Sequence, residues 1–114
     1  MPKIEDIAFA RLVSAGKVYR SACLVFEKSV NGKWWRKSGM SFSPEDFDSV
    51  IEGKPEVVVL GIGFMNKASV PPETVQFFAA AGIELVTADS ATAAARYNEL
   101  LAKGRRVIGA FHLM

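Results

Sequence analysis

Apolar runs and helix-period patterns alternate along the second half of the chain. Residues 56–60 form an apolar run without regular polar alternation, which is typical of a strand buried on both faces. Further strands are predicted over 83–87 and 105–112, with helices between them over about 72–81 and 90–103. The order strand, helix, strand, helix, strand favours parallel pairing with right-handed crossovers.

The first third of the chain has β-strand signals instead. Strands are predicted over 7–13 and 18–27. Asn31-Gly32 is the strongest hairpin signal, because a type I′ turn needs positive φ at both central residues. It predicts pairing of 24–30 with 33–37. The N-terminal third is therefore expected to be an antiparallel β layer that packs against or extends the parallel sheet.

A short helix is predicted to begin at Ser43 and to end at Gly53. Ser43 can cap it, and Pro44 is tolerated at the first helical position because its missing N–H would have no partner there. Apolar residues at positions i, i+3 and i+4 give this helix a buried face: Phe47, Val50 and Ile51. Because no linker or repeat divides the chain, residues 1–114 are predicted to form one domain.

Composition narrows the class of protein. The chain has 114 residues, and its net charge of +2 is too small to argue for nucleic acid or an anionic membrane. Cys23 is the sole cysteine, so it forms no internal disulfide and is interpreted as a small buried hydrophobe. The charged N-terminus lacks the apolar core of a signal peptide, and no run is long enough to span a membrane. A cytoplasmic protein without membrane insertion is expected.

The strand at 56–60 leads directly into Gly61-Ile62-Gly63, the first candidate for a site. In open α/β sheets, ligands bind beyond the carboxyl ends of the strands, and glycine lets the backbone approach an anion closely. The third glycine of a dinucleotide fingerprint is missing, which excludes a nicotinamide or flavin site on motif grounds. A small-ligand site and a tight packed turn remain equal alternatives.

Four other side chains are candidates for binding a ligand beside this turn. Asn66 and Lys67 follow it along the chain, and Lys67 could neutralise an anion, but a solvated loop lysine is the favoured interpretation. Ser90 stands at a helix entrance on the same predicted sheet edge, where Asp89 is interpreted as a cap. Arg96 could face solvent, the cleft or a partner.

Catalytic signatures are missing from the sequence. The only histidine, His112, has no neighbouring histidine or cysteine to form a zinc site, and no nucleophile elbow is present. We therefore predict no catalytic residue, no metal and no cofactor. The basic and aromatic run at 33–37 resembles a surface for single-stranded nucleic acid, but a core tryptophan on an edge strand explains it better. No nucleic-acid partner is expected.

Several segments, taken in order, carry a family resemblance: Ser43-Pro44-Glu45-Asp46-Phe47, 55–63, Pro71-Pro72-Glu73, Gly82-Ile83, 97–101 and Gly104-Arg105-Arg106-Val107. Together they resemble the domain-of-unknown-function 498 family over nearly the whole chain. The resemblance implies a three-layer α/β fold, with an N-terminal antiparallel β hairpin layer on a mixed, mostly parallel central sheet flanked by helices. It implies no established enzymatic activity, and mitochondrial family members act in respiratory complex I assembly through protein contacts.

The chain departs from the family at two places. The family commonly has Gly-Thr-Gly where this chain has Gly61-Ile62-Gly63, and Arg-Thr before the Tyr-Asn pair where it has Ala95-Arg96.

From the family resemblance we expect a non-enzymatic binding or assembly module with a protein partner. The alternative is a small-ligand-binding protein, or an enzyme of unknown chemistry, that uses the Gly61–Gly63 cleft for an unidentified ligand. An RNA-binding module ranks last, and the sequence leaves the oligomeric state open.

Overall fold

The computed structural model describes residues 3–26, 29–32, 34, 41–64 and 69–113. The strands within these ranges are β1 (Asp6–Ala8), β2 (Arg11–Ser14), β3 (Lys17–Tyr19), β4 (Cys23–Val25), β5 (Val30–Asn31), β6 (Val57–Ile62), β7 (Glu84–Ala88) and β8 (Val107–His112). The helices are a 3₁₀ turn (Pro44–Phe47), α1 (Asp48–Glu52), α2 (Pro72–Ala80) and α3 (Ser90–Ala102). Nowhere in these ranges is a helix long and apolar enough to cross a membrane.

The strands form two sheets. In the five-stranded sheet the order is β5-β4-β8-β6-β7, with β6 parallel to β7 and β8, and β4 antiparallel to β8. Strands β1, β2 and β3 form a separate antiparallel sheet. The predicted α/β class, with an N-terminal antiparallel layer on a mixed central sheet, is confirmed.

Strand β6 lies between two hydrophobic cores. Val57 and Val59 face the core shared with α3 and the three-stranded sheet, whereas Val58 and Leu60 face the core under α1 and α2. Side chains alternate across a strand, so covering both faces makes every one of these positions apolar. This arrangement produces the three layers that the family resemblance implies.

The core under α1 and α2 is rich in aromatic rings. Phe47 meets Phe78 edge to face at 4.9 Å, and Trp34 stacks on Phe42 at 5.5 Å. The Trp34 indole N–H donates to the carbonyl oxygen of Asp46 at 3.1 Å, which satisfies its polar atom in the interior. Trp34 is therefore a core residue, while Trp35 lies outside the described residues.

Two of the three predicted helix starts are confirmed by side-chain hydrogen bonds at their caps. The Asp46 carboxylate accepts the backbone N–H of Ser43 at 2.9 Å, with Pro44 at the first helical position. At α3, the Asp89 carboxylate accepts the Thr92 backbone N–H at 3.0 Å and the Thr92 hydroxyl at 2.8 Å. The bond from the Thr92 N–H is the main reason why the pKa of Asp89 lies below its usual value.

The strands predicted over 7–13 and 18–27 are wrong in their extent. The first is a hairpin, because the chain turns between β1 and β2, where Ala10 has a φ of 56°. The second is two strands, β3 and β4, which belong to different sheets. Alanine seldom adopts positive φ, so the sequence carried no signal for the first turn.

The hairpin predicted at Asn31-Gly32 is also wrong. Asn31 pairs with Leu24 inside the β4–β5 ladder, and the chain reverses earlier, where the Phe26 N–H donates to the Ser29 carbonyl at 2.8 Å. Most of its predicted second strand, 33–37, lies outside the described residues. Gly32 instead serves packing, since a Cβ there would lie 2.3 Å from the Cδ1 atom of Tyr19.

Asn98 on α3 forms hydrogen bonds with the N-terminal segment. Its Oδ1 atom accepts the Ile4 N–H at 2.8 Å, and its Nδ2 atom donates to the Ile4 carbonyl at 2.7 Å. Asparagine is a mediocre helix former, and this pair of bonds explains its place in mid-helix. The contact holds the three-stranded sheet beside the core.

Candidate functional site

Gly61 lies near the carboxyl end of β6, between β7 and β8, where it pairs with Ala88 and Phe111. A Cβ at this position would lie 2.7 Å from the Ser90 Oγ atom and 2.8 Å from the Phe111 Cδ1 atom. It would also lie 3.0 Å from the Cα atom of Ser90. Gly61 is therefore required because α3 and β8 pack directly against the backbone of β6.

Ser90 is fully buried, and its hydrogen bonds connect three elements of the fold. We call its hydrogen bonds to Gly63 and His112 the Ser90 joint. Its hydroxyl accepts the Gly63 N–H at 2.9 Å and donates to the His112 carbonyl at 2.5 Å. Its own N–H donates to the Gly63 carbonyl at 3.0 Å. The joint ties the end of β6, the start of α3 and the end of β8 to one another.

These bonds decide what the glycine turn can do. An anion cradle needs backbone N–H groups that point outward to the ligand. The Gly63 and Ser90 N–H groups instead donate within the protein, and the Asp89 carboxylate already occupies the cap of α3. The geometry therefore favours the packed-turn alternative for Gly61–Gly63.

The predicted site residues separate into three groups. The structure brings Gly61, Gly63 and Ser90 together, as the parallel strand order predicted. Arg96 instead lies on the outer side of α3, where its Nη1 atom is 2.8 Å from Glu99 Oε1 in a surface ion pair. Asn66 and Lys67 lie outside the described residues.

Two buried ionisable side chains, Cys23 and Tyr97, are held in their protonated forms. Burial raises the pKa of the Cys23 thiol to about 12, and the thiol donates to the Ser21 carbonyl at 3.0 Å. Burial also raises the pKa of Tyr97, so its hydroxyl stays protonated at neutral pH. The described residues contain no group of three or more histidine, cysteine, aspartate or glutamate side chains that could hold a metal ion.

An exposed apolar surface was not predicted from the sequence. In the three-stranded sheet, Val13 pairs with Val18, so both side chains are on the same face, the one opposite buried Leu12. Val18 is 48% exposed, and Phe9 at the β1–β2 turn is 60% exposed. We call Ala8, Phe9, Val13 and Val18 the outer sheet face. The same register places the ion-paired Asp6 and Arg11 on this face, so apolar and charged side chains are mixed there.

The fold and the Ser90 joint together define a small mixed α/β protein whose conspicuous glycine turn is an internal structural element. The chain belongs to the family described as protein of unknown function (DUF498/DUF598), which matches residues 4–112. The resemblance drawn from the sequence is thereby confirmed.

Solved structures share this fold over nearly the whole chain. A conserved hypothetical protein from Pyrococcus horikoshii is 18% identical, with a TM-score of 0.83 and 98% of each chain covered. A Bordetella parapertussis protein is 23% identical, with a TM-score of 0.83, covering 100% of this chain and 97% of its own. A Mth938-like domain from Bordetella pertussis is 20% identical, with a TM-score of 0.71, covering 98% of this chain and 85% of its own.

Proposed function

We propose that this protein is a non-enzymatic protein-binding module of the assembly-factor kind, which contacts its partner through the outer sheet face. The observation that carries the proposal is the exposure of Phe9 and Val18 on a sheet whose opposite face packs on the core. Contiguous exposed apolar patches mark interaction surfaces, and we propose that Phe9 and Val18 belong to one such patch. Aromatic side chains in such patches contribute much of the binding energy.

The charges beside this face indicate the chemistry of the partner. Residues 3–20 carry four basic and two acidic side chains. Asp6 is 3.5 Å from Arg11, and the Glu5 carboxylate accepts the Gly16 N–H, so both acids already have partners. The surplus of positive charge favours a partner protein that presents an apolar segment flanked by acidic residues.

The two alternatives have less support. A small ligand held by Gly61–Gly63 would have to replace the Ser90 joint, in which the Gly63 N–H is engaged. An RNA surface over 33–37 would lack Trp34, whose ring is buried against Phe42. The Trp34 ring and the Gly63 N–H are therefore already engaged within the protein.

Quantitative affinity purification from the native cell tests this proposal. The double variant Phe9→Ser/Val18→Ser should lose the specific partners of the wild-type protein. With one such partner purified, its affinity should fall by at least about 30-fold, since truncation of a central apolar anchor removes about 2 kcal/mol or more. The variant should keep its melting temperature, because both side chains are exposed.

Val75→Ser is the matched control. Val75 is 46% exposed, a fraction similar to that of Val18, but it lies on α2. The Val75→Ser variant should keep the same partners with unchanged affinity. Recovery of the same partners with the double variant, or loss of partners through Val75→Ser, would contradict the proposed face.

A further inference from the structure

A cavity of about 330 Å³ lies at the opposite end of the five-stranded sheet from Gly63. Described residues from three separate parts of the chain line it: the connection from α1 to β6, the start of β8, and the residues that follow β4 and precede β5. Its lining residues are Phe26, Ser29, Gly53, Pro55, Arg106, Val107 and Ile108. The volume is at the small end of the range for ligand sites, which begins at about 300 Å³.

Arg106 gives this cavity a positive charge. Its backbone N–H donates to Glu56 Oε1 at 2.9 Å, and its Nε atom donates to the Lys54 carbonyl at 3.4 Å. The second bond holds the guanidinium beside Gly53 and Pro55, which also line the cavity. Among the residues that the structure describes, no carboxylate lies within ion-pair distance of this guanidinium.

The adjacent arginine shows the contrast. Arg105 does not line the cavity, and its guanidinium is balanced by Glu56 at 3.7 Å and Glu84 at 3.8 Å. The pKa of Glu56 is lowered, first by the Arg106 backbone N–H and then by the charges of both arginines. Glu56 therefore interacts with the charges of both arginines, but within the described part of the chain it reaches ion-pair distance only from Arg105, so the Arg106 guanidinium keeps N–H donors for another acceptor.

The remaining walls are largely apolar. Ile108 is buried, and Phe26 is half-buried against the same core, whereas the Val107 side chain faces the other core. A Cβ on Gly53 would lie 2.8 Å from the Ile108 Cδ1 atom, so glycine lets the α1–β6 connection approach that wall closely. The Ser29 hydroxyl adds one further polar group at the rim. A cation beside apolar walls matches an amphipathic anion.

We propose that this cavity binds a small organic carboxylate, with the carboxylate on the Arg106 guanidinium and the apolar body against Phe26 and Ile108. Arginine binds carboxylates through charge-assisted, often paired, hydrogen bonds. A volume of 330 Å³ equals the liquid volume of about eleven water molecules, which suits a body of about ten non-hydrogen atoms. This site is independent of the outer sheet face.

Titration of backbone amide NMR signals tests the site with octanoate and phenylacetate as probes. Octanamide and phenylacetamide are the uncharged controls of nearly identical shape, and inorganic phosphate is the control for charge alone. Both carboxylates should shift the amide signals of Gly53, Val107 and Ile108. Each amide analogue should bind at least about 10-fold more weakly, because a charge-assisted hydrogen bond is lost.

Two variants distinguish binding by the Arg106 guanidinium from general electrostatic attraction. Arg106→Gln should weaken carboxylate binding by about 10- to 100-fold and leave amide binding unchanged. Arg105→Gln, the matched control with the same change in net charge, should alter affinity by less than about 3-fold, an effect of long-range charge alone. Ser29→Trp, at an exposed position, should fill the rim and abolish binding of acids and amides alike.

Three results would overturn the proposal. One is the absence of shifts at the cavity with millimolar octanoate and phenylacetate. Another is equal weakening by Arg106→Gln and Arg105→Gln, which would indicate general electrostatic attraction. The third is phosphate binding as tight as that of the carboxylates, which would show that the apolar walls contribute nothing.

Discussion

Gly61→Ala should destabilise the protein by about 2–3 kcal/mol, through overpacking at a site where two elements meet the backbone of β6. The new Cβ would lie 2.7 Å from Ser90 Oγ, 2.8 Å from Phe111 Cδ1 and 3.0 Å from Ser90 Cα. The last of these atoms belongs to the backbone of α3, so a side-chain rotation cannot relieve the contact. Urea unfolding followed by circular dichroism measures the change in free energy of unfolding.

Gly104→Ala is the control for loss of a glycine without overpacking. Gly104 has a φ of 76°, and a Cβ there would meet no atom within 4 Å. Its cost should be about 1–2 kcal/mol, from the left-handed backbone alone. A Gly61→Ala variant as stable as the wild type, or more stable, would show that α3 and β8 are not packed against β6 as described.

Ser90→Ala should destabilise the protein by about 2–4 kcal/mol, because it removes both hydroxyl bonds of the Ser90 joint. The Gly63 N–H would lose its acceptor, and the His112 carbonyl would lose the hydroxyl donor. Each buried polar group deprived of its partner costs about 1–3 kcal/mol. Thermal and urea unfolding measure the loss.

Ser14→Ala is the matched control for a buried serine with a single bond. Ser14 is fully buried, and its hydroxyl donates to the Lys3 carbonyl at 2.8 Å. Its loss should cost about 1 kcal/mol. Equal costs for Ser14→Ala and Ser90→Ala would contradict the central place given to the Ser90 joint.

The second half of the fold was predictable because its signals are local. The apolar run ending at Leu60 identifies a strand covered on both faces, and Asp89 identifies the start of a helix by its capping chemistry. Once strands and helices alternate, parallel pairing follows from connectivity. The expectation that Gly63 and Ser90 lie at one edge follows from the same reasoning.

The N-terminal third was predicted less well because tertiary contacts override its local signals. Ala10 turns the chain at a positive φ that few alanines adopt. Asn31-Gly32 has the composition of a hairpin turn, yet the packing of Gly32 against the Tyr19 ring places it beside a strand. Turn preferences of about 1 kcal/mol cannot decide between such arrangements when packing contributes more.

The chemistry of the sites depends on contacts between distant residues. Ser90 is 27 residues from Gly63 and 22 from His112, so its role as a joint has no local signature. Arg106 belongs to a Gly-Arg-Arg segment in which nothing distinguishes it from Arg105. Only the fold places one arginine against Glu56 and Glu84 and the other at a cavity.

Amide hydrogen exchange at Gly63 tests most directly whether the glycine turn is an internal joint. In the wild-type protein the Gly63 N–H should be strongly protected and exchange only through global unfolding, and phosphate should not shift its NMR signal. In Ser90→Ala the exchange of the Gly63 N–H should accelerate beyond that of the β6 amides. Unprotected exchange of Gly63 in the wild type, together with a shift on adding phosphate, would contradict this account and restore the turn as a ligand site.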